Sequence, residues 1–329
     1  MHKLISPVIE LTCVNGCKQQ KMIRSPITGE PAFLYSTMPV GPLIARYASD
    51  LGINVRDVFE GLQFLRIYAC PSTGYRFYYP PSVAGEGGFY DRLHAGQHLE
   101  AEGSEAREDW DFAIERIGSE DRVLDVGCST GSFLERVKSS SRTGIDGSRE
   151  GVKIAATRGL NVVHSTAQEF ADQNMQAFDV VCAFQILEHV DEVRSFLVAL
   201  GKLVRPGGAM IISVPNSDPY YAGWAKFEPL NCPPHHIGLW SRTSLSAVAA
   251  KLGLKATETR FYGNPDGFAL RVYRRAAYLT GVWRRPGSLH WSDWARVLLA
   301  SPPALILTAW EFMFRPTSRY PYMVVALTC

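Results

Sequence analysis

A chain of 329 residues is longer than the usual single domain of roughly 100 to 200 residues, which implies one large domain carrying a smaller appendage. With 46% hydrophobic and 20% charged residues the composition is that of an ordinary globular protein, and a formal net charge of +2 speaks against a chain built around nucleic-acid phosphates. Seven cysteines, at positions 13, 17, 70, 128, 182, 232 and 329, form no closely spaced framework, which excludes a disulfide-stapled secreted domain and fits a reducing compartment.

The first segment, "MHKLISPVIELTC", has one lysine ahead of a short apolar run broken by Pro7 and Glu10, a poor signal peptide, so a cytoplasmic location is expected. Residues 1–85 then hold two similar turns, "SPITGEP" and "CPSTGYR". Each has the outline of a zinc knuckle, but Ser25, Thr28 and Thr73 stand where thiolates are required and Cys70 alone is a soft ligand. The segment resembles a zinc-ribbon appendage in degenerate form, and it is expected to be β-rich, with proline and glycine shaping hairpin turns and no bound metal. Residues 86–108 read as a linker and lid.

From about residue 105 strand and helix patterns alternate, the signature of a doubly wound parallel α/β sheet. "DRVLDVGCSTGSFLERVKSS" reads as strand, glycine turn and helix. "RTGIDGS", "LNVVHS", "FDVVCAF" and "GAMIISVPN" supply further strands, with helices between them. A helix introduced by Ser241 and a strand near Lys255 follow, and "YPYMVVALTC" reads as a last buried strand.

A glycine loop after a strand signals a nucleotide, yet here Asp125 precedes Gly127, Cys128 and Gly131, and the spacing is not that of a dinucleotide fingerprint. A carboxylate at the strand end repels a pyrophosphate and favours a cationic ligand. S-adenosylmethionine meets that condition through its ammonium and sulfonium, while its carboxylate can use backbone amides beyond Gly131. Asp146, ending the next strand beside Gly147, is placed to accept both ribose hydroxyls.

With "VLDVGCSTG", "GIDGS", "FDVVCAFQILEHV" and "LVRPGGAMIISVPN" in this order, the chain resembles the class I S-adenosylmethionine-dependent methyltransferases. The resemblance implies a Rossmann-like methyltransferase sheet over residues 109–264, completed by residues 320–329, with an N-terminal appendage of a kind found ahead of many bacterial methyltransferase domains. It implies Asp125 and Gly127 at the amino-acid end of the cofactor, Asp146 on the ribose, Gln168 at the adenine, and Phe184 and Gln185 on the methyl-donor side. Ser129 stands where the family most often has glycine. Glu188 and His189 of "LEHV" either orient the strand end or act in catalysis.

The acceptor is expected beyond "IISVPN", where Tyr220, Tyr221, Trp224, Phe227 and Trp240 offer stacking surfaces. "NCPPHHIGLW" is similar to a loop of bacterial sugar and cell-surface glycan methyltransferases. Pro233 and Pro234 are expected to hold this stretch extended, which would send His235 and His236 to opposite sides and preclude a shared metal. One histidine then either faces the cleft as a general base, His236 being preferred, or merely packs, while the other packs under Trp240 or caps the following helix. The activity implied is methyl transfer to an oxygen of a small molecule, sugar or lipid-linked glycan. Transfer to nitrogen or carbon, or a non-catalytic cofactor-binding scaffold, stays open.

Residues 265–319 form a basic, aromatic helical insertion, with Arg271, Arg274, Arg275, Arg284, Arg285, Arg296, Arg315 and Arg319 against Asp266, Asp293 and Glu311. It reads as a lid, a dimer contact or a peripheral contact with the inner face of a membrane. The run "VLLASPPALILTAWEFMF" is interrupted by Ser301, Pro302 and Pro303, a weak candidate to span a bilayer.

Overall fold

The β-branched and leucine-rich run Arg122–Val126 (β4) is buried from its second residue onward, as a central parallel strand must be when both faces of its sheet are covered. A computed structural model describes residues 22–85, 88–89, 92–93, 107–217, 228–263, 272–273, 276, 280, 290–314 and 320–328. The three strands ahead of β4 are β1 (Phe33–Pro39), β2 (Phe64–Ala69) and β3 (Arg76–Tyr79). After it come β5 (Ser141–Asp146), β6 (Asn161–His164), β7 (Phe178–Phe184), β8 (Val204–Pro215), β9 (Gly238–Leu239), β10 (Lys255–Tyr262) and β11 (Tyr322–Thr328).

Seven strands form one sheet in the order β10, β11, β8, β7, β4, β5, β6. The pairs β4 with β5, β5 with β6, β4 with β7 and β7 with β8 are parallel. The final strand enters between β8 and β10 and runs antiparallel to both. The chain therefore winds outward from β4 through β5 to β6, then returns to the far side of β4 as β7. That reversal opens a crevice beyond the carboxyl ends of β4 and β7, where open α/β sheets bind ligands.

The described helices include α1 (Val40–Leu51), α2 (Glu108–Ile114), α3 (Ser132–Arg136), α4 (Arg149–Thr157), α5 (Ala167–Gln173), α6 (Val193–Leu203), α7 (Arg242–Lys251) and α8 (Trp291–Phe314). α5 starts at a capping box in which Thr166 and Glu169 exchange hydrogen bonds, and α7 starts at a reciprocal pair of Ser241 and Ser244.

The N-terminal region is β-rich as expected, but it does not close on itself at residue 85. Its antiparallel sheet has the order β1, β2, β3, β9, and β9 comes from the far end of the histidine-bearing loop. Leu43 and Tyr47 of α1 share a core with Leu65, Ile67 and Tyr78 of the sheet and with Cys232 and Leu239. The Tyr47 hydroxyl lies 2.6 Å from the carbonyl oxygen of Pro229 and 3.0 Å from that of Cys232, to which it donates. In the two knuckle-like turns, Ser25 and Cys70 carbonyls accept from Gly29 and Gly74 amides, both 2.9 Å or shorter. The turns face one another, with Thr28 Oγ1 3.3 Å from Cys70 Sγ. Hydroxyls thus stand around one thiol where a ribbon would present four thiolates.

The prolines do not interrupt α8, which runs through Pro302 and Pro303. Ser301 Oγ donates to the carbonyl oxygen of Val297 at 2.8 Å, one way of satisfying backbone acceptors along a helix whose prolines lack an N–H. No helix among the described residues is long and apolar enough to cross a membrane.

Candidate functional site

At the end of β4 the chain turns through Gly127 (φ 79°), Ser129 (φ 48°) and Gly131 (φ 84°) into α3. The positive φ is what calls for glycine here, and the space around both positions is close as well. A Cβ on Gly127 would lie 2.7 Å from Ile186 Cδ1, and one on Gly131 would lie 2.3 Å from Leu160 Cδ1. Ser129 holds the same left-handed conformation at a steric cost, which explains why glycine suits that position. α3 has only five residues, so its macrodipole is small and any anion here would rely on individual backbone amides.

Asp125 is 3% exposed, and its carboxyl is pushed up to about 8, first by burial and then by the charge of Asp146. Asp146 is half-buried at the end of β5. The Ser129 N–H donates to its Oδ2 at 2.8 Å and the Ser148 N–H to its Oδ1 at 2.7 Å, which fixes the carboxylate and leaves each oxygen a further lone pair. Gly147 is exposed, and its carbonyl accepts from His164 Nε2 at 3.0 Å.

Three expected cofactor contacts are narrower than expected. The Cys128 side chain lies in the core against Gly144, and burial pushes its thiol up, so only its backbone can face the crevice. The Phe184 ring packs edge-on against Phe133 at 4.7 Å in the same core. Gln168 Nε2 donates to Ser195 Oγ at 3.1 Å, tying α5 to α6, so its amide is already engaged.

Gln185 (φ 52°) leads to a network that sequence reasoning missed. Its Nε2 donates to Ser213 Oγ at 3.3 Å and to the Tyr262 hydroxyl at 3.1 Å. Ser213 donates in turn to Asp109 Oδ2 at 2.8 Å, and the Arg107 guanidinium grips Asp109 through Nε at 3.0 Å and Nη2 at 3.1 Å. Asp109 is fully buried. This network ties α2 to the ends of β7, β8 and β10, and it sets a second acid near Asp125, on which Arg107 also acts. The sequence signal was an aspartate on the same helix face as Phe112 and Ala113, an arrangement that demands a partner.

The histidines depart most from expectation. The Cys232 carbonyl accepts from both the His235 amide (3.0 Å) and the His236 amide (3.1 Å), so the stretch is a turn and not extended. The two rings stack with centroids 4.5 Å apart and planes 20° apart. The His189 ring meets His235 at 4.5 Å and His236 at 4.7 Å. All three sequence-predicted histidines therefore form one cluster. Neither His235 nor His236 caps the next helix, whose cap is Ser241, and Trp240 instead packs on Tyr75 at 4.3 Å.

His236, the preferred base, is the most deeply buried of the three, and burial lowers its pKa well below the imidazole range; His235 is half-buried. His189 Nδ1 donates to the His235 carbonyl oxygen at 2.6 Å. Beneath the rings, Glu188 is 1% exposed, and burial pushes its carboxyl up to about 8. Neither of its oxygens has a hydrogen-bond partner among the described residues. Its backbone carbonyl accepts from the amides of Ile237 and Gly238, both at 2.9 Å, which clamps the β7 end to the histidine loop. Of the aromatic residues expected at the acceptor, Tyr220, Tyr221, Trp224 and Phe227 lie outside the described residues.

Residues 98–259 match the family model described as a methyltransferase domain. Among curated proteins, the ubiquinone biosynthesis O-methyltransferase of Vibrio atlanticus (strain LGP32) is 38% identical over 103 residues, covering 29% of this chain and 44% of that protein. The mitochondrial protein of the same name from Dictyostelium discoideum is 33% identical over 112 residues, covering 29% and 35%. The matched stretch thus spans less than half the length of these curated relatives. Among solved structures, a SAM-dependent methyltransferase from Archaeoglobus fulgidus is 18% identical with a TM-score of 0.48, covering 71% of this chain and 99% of that one. The 1,6-didemethyltoxoflavin-N1-methyltransferase of Burkholderia thailandensis is 14% identical with a TM-score of 0.47, covering 80% and 94%. The matched segment is a methyltransferase domain, carried on the parallel strands β8, β7, β4, β5 and β6.

Proposed function

We propose that the chain carries the methyl group of S-adenosylmethionine to a hydroxyl oxygen of a small, partly apolar acceptor such as a lipid-linked glycan. In this reading Asp125 takes the cofactor ammonium, Asp146 its ribose hydroxyls, and the backbone of Gly127, Cys128, Gly131, Gly147, Phe184 and Gln185 shapes the remaining cradle, with Gln168 beside the adenine. The acceptor oxygen attacks the methyl carbon in line. The carbon–sulfur bond breaks as the oxygen–carbon bond forms, the sulfonium becomes a neutral thioether, and the hydroxyl proton leaves on the side of His189, His235 and His236.

The observation that carries the reading is the pair of carboxylates at adjoining strand ends, one of them buried, in a crevice that disfavours a phosphate-bearing nucleotide. Oxygen as the methylated atom draws support from the names of the curated relatives. A largely apolar groove lined by Tyr75, Phe77, Tyr79, Val190 and Ile237, with Arg24 and Asp191, includes the chain neighbours of His189 and His236 and suits an acceptor with an apolar part. The sugar-pathway kinship of the histidine loop and a zinc-ribbon origin for the appendage belong to the same proposal. Incubating the protein with methyl-labelled cofactor and an extract of its source cell, followed by mass spectrometry, tests it. A labelled product whose methyl sits on oxygen as an ether, stable to alkaline hydrolysis, is expected; label on nitrogen or carbon would overturn the oxygen assignment, and no label on any pool would favour a scaffold.

The insertion supplies access to such an acceptor. Trp291 (74% exposed), Leu299 (81%) and Ile306 (68%) stand in the open on α8, with Leu298 and Leu305 also exposed, an apolar surface that needs a partner. The surplus of arginine over acid in residues 265–319 makes an anionic bilayer the fitting one. Flotation with anionic vesicles at low salt is expected. If the protein stays in the soluble fraction and sediments as a dimer, α8 is a contact between copies and the membrane reading falls.

A further inference from the structure

We infer that His189, His235 and His236 bind one divalent transition-metal ion of the zinc class, with Glu188 as its buried counter-charge. One ligand nitrogen from each histidine lies within 4.8 Å of the other two. A tetrahedral zinc ion with bonds of about 2.0 to 2.1 Å sets its nitrogens about 3.4 Å apart, so small rotations of the side chains close the site. Two of these atoms face a common point, since His189 Nε2 and His236 Nε2 lie 3.9 and 3.8 Å from the same Glu188 oxygen.

Glu188 is the independent sign of a ligand. A carboxyl 1% exposed, with neither oxygen hydrogen-bonded among the described residues, is costly unless a cation or a proton answers it. A bound ion resolves that cost. The second sphere is also in place, because His189 donates from Nδ1 to the His235 carbonyl, which fixes the ring. The Glu188 carbonyl, held by the amides of Ile237 and Gly238, locks the β7 end carrying His189 to the loop carrying His235 and His236.

Three protein ligands leave a fourth tetrahedral position open. An acceptor hydroxyl bound there loses its proton more readily, the proton passing to solvent and the alkoxide remaining on the metal to meet the methyl group. This last consequence rests on the methyl-transfer reading; the metal site itself does not.

The test uses the full chain after chelator treatment, titrated with Zn²⁺ by calorimetry and with Co²⁺ by visible absorption. One ion per chain is expected, with the intense Co²⁺ bands of a four-coordinate site. His235→Ala, which alters the half-buried member, should weaken binding by at least the roughly 100-fold that even loss of an outer partner can cause. Glu188→Gln should weaken it about 10- to 100-fold. Circular dichroism of each variant reports its fold. Absence of saturable binding, a weak six-coordinate Co²⁺ spectrum in the unaltered protein, or unchanged affinity in a folded His235→Ala would overturn the site. Titration of the same samples with S-adenosylhomocysteine reads the cofactor site separately, so a failed methyl-transfer reading and a failed metal site give different results.

Discussion

Protonation of Asp125 should couple cofactor affinity to pH. The buried carboxyl, pushed up to about 8, is largely neutral in the empty protein at pH 6, whereas a bound ammonium favours its charged form. If only the ionised form binds, affinity scales with the ionised fraction, which rises from about 1% at pH 6 to about 24% at pH 7.5, a gain of roughly 20-fold. Calorimetric titration with S-adenosylhomocysteine at the two pH values, in buffers of different ionisation enthalpy, measures both the gain and the proton released. Asp125→Asn should bind about 10- to 100-fold more weakly at pH 7.5, through loss of a charge-assisted contact, and should lose the pH dependence. The sign for stability is the opposite. A carboxyl whose folded pKa exceeds its unfolded value near 4 contributes stability at low pH that is lost as pH rises toward 8, so the empty protein should melt lower at pH 8 than at pH 5 through this group. Affinity that is flat between pH 6 and 7.5, or a dependence that survives Asp125→Asn, would refute the reasoning.

Other substitutions probe the same crevice. Asp146→Ala should weaken binding of S-adenosylhomocysteine by about 1 to 3 kcal/mol in calorimetry, because it removes a carboxylate already oriented by the Ser129 and Ser148 amides. Gly131→Ala should cost about 2 to 4 kcal/mol in denaturant unfolding, combining a left-handed φ with a Cβ placed 2.3 Å from Leu160 and 3.2 Å from Ala155. Ser129→Gly should raise stability by about 0.5 to 1 kcal/mol, since it removes the strain at φ 48° while keeping the amide that holds Asp146.

The sheet and the acids at its strand ends were legible because their signals are contiguous. Apolar runs, the glycine turn and the strand-end acids Asp125 and Asp146 each lie within a few residues, and parallel strands buried on both faces leave little freedom of placement. The histidine turn was not legible. Two prolines suggest an extended stretch, but Tyr47, more than 180 residues upstream, holds the carbonyls of Pro229 and Cys232, and the Cys232 carbonyl gathers both histidine amides. Tertiary hydrogen bonds there override local preference. The two-residue strand Gly238–Leu239 leaves no periodicity to read, although it binds the N-terminal sheet to the methyltransferase domain. Pro302 and Pro303 lie inside one continuous helix, a placement that local proline chemistry does not favour.

The most direct test of the central claim is a calorimetric comparison of four ligands on the full chain: S-adenosylmethionine, S-adenosylhomocysteine, NAD and ATP. Carboxylates at the ends of β4 and β5 predict one site per chain for the first two and no measurable binding of the phosphate-bearing pair. Saturable binding of NAD or ATP, with none of S-adenosylmethionine, would contradict it.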